Sequence, residues 1–415
     1  MIKKILNHSL VKNATSLGFI KLLDIILPLI TIPYLTRTLD ITSFGLLVIS
    51  IAIYNIASIL TDFGFGLSSP YYISLHKNST KIINSYLSSI FFLKFILLII
   101  SIAALYIFFL FFNTINFSLS NILFIFLVMI SLGFQCQWFF VGIEKIKYIT
   151  IYVSISKLSY FIMLFTFISI YKSINSVLMA TAFSNFIATY YYIKNIRSEK
   201  FKFGKLRHKY TLIIFRQNIG FFLSRISVSL STTLNGFLIG IYLGVNSSAL
   251  YGAAERLYNA GIGLMSPITS AIYPYMARTK NANLLFLIAL TLTIPAIIIC
   301  TIIYNYSHII IPFIFGEKYY SAYHIFNYFL ILVPINIVSI LYGYSAFSII
   351  NKPHIANYTV IFSSIVYILS IFILILLNIL SIQNIIYSII LIDTITLILR
   401  VSIFLFLHKR YSYAK

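Results

Sequence analysis

Residues 18–72 read GFIKLLDIILPLITIPYLTRTLDITSFGLLVISIAIYNIASILTDFGFGLSSPYY. Two apolar runs flank a short polar turn, Arg37 to Ser43. Each run is about twenty residues long, enough at about 1.5 Å per residue to cross a hydrocarbon core of about 30 Å. Lys21, Asp24, Pro28 and Pro33 interrupt the first run. Charges and prolines at membrane depth are tolerated where they face protein or a wet cavity. The hairpin therefore reads as the wall of something hollow, not as a passive anchor.

A similar hairpin returns at 217–276. Tyr54-Asn55 and Pro70-Tyr71 recur as Tyr258-Asn259 and Pro274-Tyr275, both at an offset of 204 residues. Leu60 and Leu264 keep that offset, and the turn at Ser43 falls on Ser247. The offset is close to half of the 415-residue chain. A transporter built from two repeats places its second half there.

Composition narrows the class further. The chain is 60% hydrophobic and only 9% charged, which points to a polytopic membrane protein. About twelve helical spans are expected, at 15–36, 44–64, 86–112, 120–142, 148–170, 174–193, 212–241, 248–277, 283–304, 322–350, 354–378 and 384–407. The span at 322–350 is long and contains Pro334 and Gly343, so it is expected to be kinked or tilted. Runs of this length satisfy their own backbone hydrogen bonds only as helices, so the fold class is all-α. Two six-helix halves are expected, 1–195 and 212–415, joined by a basic linker at 196–211. They should be pseudo-symmetric around a central cavity. The basic start MIKKILNHSLVKNATS has no short apolar core before a cleavage site and does not read as a signal peptide.

A formal charge of +22 in a soluble protein suggests nucleic acid, but the positions of the charges argue otherwise. With the N-terminus inside, twenty of the 30 Lys and Arg fall in inside segments and three in outside loops. The positive-inside rule then places both ends in the cytoplasm and favours an even number of spans. The densest cluster, residues 193–209, reads as a topogenic loop that meets anionic lipid headgroups or, alternatively, as a docking site for a cytoplasmic partner. Cys136 and Cys300 both lie in apolar runs, so neither a disulfide nor a metal site is expected. There is no phosphate-binding GxxxxGK[ST] loop and no Ser/His/Asp constellation, so the chain is not expected to be an enzyme.

Charges inside the spans are the candidate functional residues. Each costs about 2.5–3.5 kcal/mol at a helix centre. Lys21, Arg216 and Arg400 lie near inner boundaries, where their stems can snorkel to the interface. Lys94 and Lys157 lie deeper, and Arg225 and Arg256 deepest or nearly so. These four are the candidates to line a hydrated cavity and bind an anionic headgroup. Among the acids, Lys21 and Asp24 share a helical face and suit each other. Glu255 is adjacent to Arg256, points elsewhere, and is expected to find a partner such as Arg225. Asp24, Glu255 and Asp393 are candidates for ion coupling or for structural pairing. The interior is basic on balance, which suits an anionic substrate such as a glycan linked to a polyprenyl diphosphate. Arginine grips such phosphates with forked hydrogen bonds.

Three stretches carry a resemblance to a known family. They are PLITIPYLTR (28–37) with TDFGFGLS (61–68), YGAAERLYNAG (251–261) with SPITSAIYPYMAR (266–278), and IFGEKYYSA (314–322). Together they resemble the Wzx-type flippases of O-antigen and capsule repeat units, in the multidrug/oligosaccharidyl-lipid/polysaccharide exporter superfamily. Asp40 departs from the pattern, which usually has glycine there. The resemblance implies a flippase in lipopolysaccharide and O-antigen biosynthesis, placed in the bacterial inner membrane. Its substrate would move from the cytoplasmic to the outer leaflet, without a bound cofactor; Asp24 and Asp393 are the residues that could carry a coupling H+ or Na+. A polymerase and a chain-length regulator are the implied partners, besides membrane lipid. The competing classes are a multidrug or cation antiporter and a polysaccharide polymerase or ligase. The first requires an acidic site and the second a large outer catalytic loop.

Overall fold

The computed structural model describes residues 9–111 and 115–413, all helix and short connection, with no strand among them. The basic residues Lys3, Lys4 and Lys415 and the far end of the third expected span lie outside the described residues. Each of the twelve expected spans falls on helix. The first half contains α1 (Ser9–Thr38), α2 (Ile41–Asp62), α3 (Phe65–Leu75), α4 (Thr80–Phe111), α5 (Leu119–Gly133), α6 (Gln137–Gly142), α7 (Ile146–Ile170) and α8 (Ile174–Ser198). The second contains α9 (His208–Tyr242), α10 (Val245–Gly263), α11 (Met265–Thr279), α12 (Ala282–Phe315), α13 (Ala322–Ile340), α14 (Ala346–Ile349), α15 (His354–Leu376) and α16 (Ile382–Tyr413).

Nine stretches among the described residues are long and apolar enough to cross a membrane. Helices α8, α9 and the α10–α11 pair are not among them. They carry polar residues such as Asn185, Arg225, Asn235, Glu255 and Arg256, which lower their mean hydropathy. Inward-facing polarity and membrane apolarity compete in one helix, and here polarity wins.

Two compact units form, 1–27 with 46–229 and 28–45 with 230–415. In the first, α8 packs on α5 and α7, and α3 packs on α6. The core of this unit joins Phe63, Phe65, Ile73, Phe139, Phe140 and Tyr192. Gly142 lets α6 meet α3 closely, because a Cβ there would sit 2.7 Å from Ile73 Cβ. In the second unit α13 is central, packing on α10, α12 and α16. Its core joins Met265, Met276, Leu341, Phe347 and Phe404.

One boundary differs from expectation. Helix α12 runs on to Phe315, so the connection after it shrinks to 316–321, with one 3-10 turn at Glu317–Tyr319. The apolar run IIIPFIF (309–315) is the reason: backbone at that depth is cheaper as helix than as loop. The kink expected in 322–350 falls at Gly343, where φ −79°, ψ −120° leaves the helical region inside a π-helical stretch, Leu341–Ser345. Pro334 lies within α13 without ending it.

The turns of the two hairpins meet inside the second unit. Thr42 Oγ1 donates to Asn246 Oδ1 at 3.1 Å, a pair separated by 204 residues, which is the offset of the repeat. Gly45 lies against Val245, where a Cβ would come 2.7 Å from Val245 Cγ1.

Candidate functional site

The first unit is built around a broken helix. The apolar run that starts at Leu119 stops at Gly133 and resumes at Gln137, with the polar sequence GFQCQ (133–137) at the break. Carbonyls at the end of α5 lose their helical partners there. Side chains replace those partners. Thr189 Oγ1 donates to Ser131 O at 2.8 Å. Lys94 Nζ donates to Gly133 O and to Gln135 O, both at 3.0 Å. Lys94 is buried, and an ammonium at the negative end of a helix is doubly favoured, by hydrogen bonds and by the dipole. Its remaining neighbour is Asp62, at 3.9 Å. Lys94 thus holds the break open.

Asp62 ends α2 and serves three partners. Its Oδ2 accepts from Arg225 Nη1 at 2.5 Å and from the Gly66 amide at 3.2 Å, while Oδ1 faces Lys94. The chain can turn there because Phe63 and Gly64 adopt positive φ, 44° and 81°. The cluster of Lys94, Asp62 and Arg225 carries one positive charge in excess. The Arg225 side chain remains 39% exposed, so part of its guanidinium faces open space.

Beside the break lies a cavity of about 360 Å³ within the first unit. Asp24, Tyr54, Gln135, Gln137, Lys157 and Asn185 are among its lining residues. Lys157 forms an ion pair with Asp24 across α7 and α1. Gln135 Nε2 donates to Asn185 Oδ1 at 2.8 Å, and Asn185 Nδ2 donates to Thr181 O at 2.8 Å. Acid and base on this wall cancel.

A second cavity, of about 400 Å³, lies within the second unit. Its lining includes Pro28, Pro33, Arg37, Arg256, Phe313 and Phe315. Arg37 Nη2 donates to the Phe313 carbonyl. The wall is mostly apolar and holds two guanidinium groups, with no carboxylate among the described residues that line it. Pro312 has no amide to offer the preceding turn of α12, and Pro28 and Pro33 have none to offer the preceding turns of α1.

The remaining candidates are held by polar neighbours in the second unit. Asp393 Oδ2 accepts from Asn336 Nδ2 at 2.9 Å, and the same amide nitrogen donates to Tyr258 OH at 2.9 Å. Glu255 Oε1 accepts from Tyr251 OH at 3.2 Å. Arg400 is buried, not snorkelled to an interface. Its Nε donates to Thr359 Oγ1 at 3.0 Å, and its Nη1 to Ser339 O at 2.7 Å and Ser339 Oγ at 3.1 Å. An α-helix would pair that carbonyl with the Gly343 amide. The guanidinium packs on the kink instead, where a Cβ at Gly343 would lie 3.4 Å from Nη1.

Two expected pairings are replaced by others. Asp24 pairs with Lys157, from a neighbouring helix, and not with Lys21 on its own. Arg225 pairs with Asp62, and not with Glu255. Pairing across helices depends on which faces meet, and spacing along one helix does not report that. Three lining residues of the first cavity, Gln135, Gln137 and Asn185, carry no formal charge, so a reading for buried ions passes over them. The polar run FQCQ inside an apolar span is the signal that marks two of them. Arg37 reads as a loop residue in the sequence because the expected end of α1 falls one residue before it, whereas α1 continues to Thr38.

Nine described stretches long and apolar enough to cross a membrane, in two units that each hold a cavity, are the architecture of a multi-pass membrane protein. The model of the family described as polysaccharide biosynthesis protein matches residues 10–280, and the chain belongs to that family. Two curated relatives carry the name "Putative O-antigen transporter". One, of Shigella dysenteriae, is 26% identical over 65% of this chain and 68% of its own length. The other, of Escherichia coli (strain K12), is 27% identical over 66% of each. The chain thus spans about two thirds of the length of the relatives it matches. Among solved structures, the fold is similar to that of the lipid II flippase MurJ in an inward closed conformation. The TM-score is 0.68 at 16% identity, covering 94% of this chain and 87% of that one. It is also similar to an inward-facing multidrug resistance transporter of the MATE family in the MOP superfamily. There the TM-score is 0.64 at 13% identity, covering 92% and 94%. At these identities the likeness is one of fold.

Proposed function

We propose that the chain is a flippase for polyprenyl-diphosphate-linked oligosaccharide repeat units. It moves their headgroups from the cytoplasmic to the outer leaflet of the bacterial inner membrane, for O-antigen or capsule synthesis. Both termini are cytoplasmic, and the two halves, 1–195 and 212–415, alternate access. The observation that carries this reading is the cavity of about 400 Å³ in the second unit, with Arg37 and Arg256 in a mostly apolar wall. A lipid diphosphate has the complementary chemistry: negative charge for two guanidinium forks, and an apolar chain for the wall. Arg225 belongs to the first unit, where Asp62 holds it, and we propose it as an anion contact of its own, apart from that cavity. A drug cation would meet repulsion at the same wall. The names of the curated relatives support the same class, and so does the fold shared with a lipid II flippase. Exported units would then pass to a polymerase and a chain-length regulator.

Deletion of the gene followed by complementation tests this. Wild-type protein restores surface polysaccharide, whereas Arg225→Ala and Arg256→Ala fail at equal protein level and leave complete repeat units on the cytoplasmic face. Wild-type polymer in both variants would sink the proposal.

A further inference from the structure

We infer that the cavity of the first unit is a carbohydrate subsite, taking an uncharged sugar ring of the substrate and no part of its diphosphate. This rests on the flippase reading and deepens it.

The cavity has no net charge to offer. Asp24 and Lys157 are both on its wall and neutralise each other. An anion entering there would have to displace Asp24 from Lys157, and a cation would have to displace Lys157 from Asp24. What remains are carboxamides, hydroxyls and tyrosine rings. Gln135, Gln137 and Asn185 spend part of their capacity on one another and on Thr181. Gln137 Nε2 donates to Gln135 Oε1, Gln135 Nε2 to Asn185 Oδ1 and Asn185 Nδ2 to Thr181 O, which leaves each carboxamide one donor hydrogen and at least one acceptor lone pair. Neighbouring hydroxyls of a sugar are donors and acceptors at the same spacing, so a carboxamide meets two of them at once. Tyr54 and Tyr160 add ring surface of the kind that covers the C–H face of a pyranose. The volume of about 360 Å³ lies at the small end of ligand sites, which run about 300–1,000 Å³. That suits a ring of the repeat unit, not the whole of it.

The backbone gives a second, independent argument. The two glutamines are presented by the gap between α5 and α6. Non-helical backbone at membrane depth persists where it lines a cavity, and interrupted helices mark binding sites in transporters. This gap is a built feature, because Lys94 and Thr189 satisfy three carbonyls at it. A buried lysine committed to keeping a helix broken makes little sense if the exposed amides bind nothing.

The test uses the full-length protein in lipid nanodiscs and two probes. One is the free repeat-unit oligosaccharide, released from the surface polysaccharide of the producing strain and radiolabelled. The other is polyprenyl diphosphate without sugar. The oligosaccharide should bind saturably. Asn185→Leu should weaken it by about tenfold, the loss expected when a buried polar contact is removed, with polyprenyl diphosphate binding unchanged. Gln137→Met is the second variant. Gln137 is exposed, so its replacement folds, and it should weaken the oligosaccharide alone. Wild-type oligosaccharide affinity in Gln137→Met overturns the subsite, as does parallel loss of both probes. Binding of polyprenyl diphosphate without binding of oligosaccharide also overturns it and leaves the flippase standing. Binding of neither probe removes both.

Discussion

The two units enclose cavities of similar volume and opposite chemistry. In the first, an acid and a base from different helices cancel and leave a field of amides and hydroxyls. In the second, two arginines stand in a mostly apolar wall, with no carboxylate among the described residues of the lining. The difference shows that the positive balance of the interior is not spread evenly. Lys94 and Lys157 are as basic as Arg256 by composition, yet they are engaged in holding structure. Lys94 caps the end of α5 and Lys157 matches Asp24. A buried charge is tolerable only when its partners are supplied, and partners convert a binding group into a structural one.

The largest expected effect on binding breaks the contrast outright. Arg256→Lys keeps the charge of the second cavity and removes its fork. It should cost about tenfold in affinity for polyprenyl diphosphate, whereas Lys157→Arg in the first cavity should leave that affinity unchanged. Equal losses in titrations of the two variants would show that both cavities meet the diphosphate. Next comes Lys94→Met, which strips the donor from two carbonyls and leaves Asp62 with one cation fewer. Losing one member of a buried pair costs about 3–5 kcal/mol. Thermal melting in detergent should show that loss, and adding Asp62→Asn should deepen it, because Arg225 then loses its partner as well. An unchanged melting temperature would mean that water takes over from the ammonium.

The smallest effect compares the two hairpin turns. In the second hairpin Gly244 precedes α10 with φ 93° and no side-chain cap. Asp40 holds the equivalent place before α2, and its Oδ2 accepts from the Ser43 amide at 3.1 Å. One turn is thus made by backbone freedom and the other by an N-cap. Asp40→Ala should cost about 1 kcal/mol and Asp40→Gly only a few tenths. Burial raises the carboxyl of Asp40, but hydrogen bonds from Ser43 outweigh that and hold it below its ordinary value. A depressed carboxyl stabilises the fold above its unfolded value of about 3.9 and ceases to do so as the pH falls through the folded one. Asp40→Asn, which still accepts from Ser43, should therefore melt with a weaker acid dependence than the parent between about pH 5 and 3. Identical profiles would assign the turn to packing alone.

Much of the fold was legible because length and apolarity are local properties. A run such as 354–378 has one way to satisfy its backbone in a membrane, and α15 occupies nearly the same residues. A kink or tilt of 322–350 was legible from Pro334 and Gly343, and the hairpin turn was legible in place but not in extent, since only Leu39 and Asp40 of the expected Arg37 to Ser43 lie between α1 and α2. Arg256 stood out because a charge at that depth is costly and rare. Gln135 and Asn185 did not, because neutral amides carry little penalty signal in a hydropathy pattern.

The sequence alone determined an all-helical membrane chain with repeated hairpins and a basic interior, since each of these follows from composition and period along the chain. The tertiary structure decided which charge meets which. Asp24 lies three residues from Lys21 yet pairs with Lys157, and Asp62 gathers Arg225 and Lys94 from helices far apart in sequence. Helix faces have a direction that is fixed only when they pack. The partner of a buried charge is therefore set by that packing and not by its neighbours in the chain.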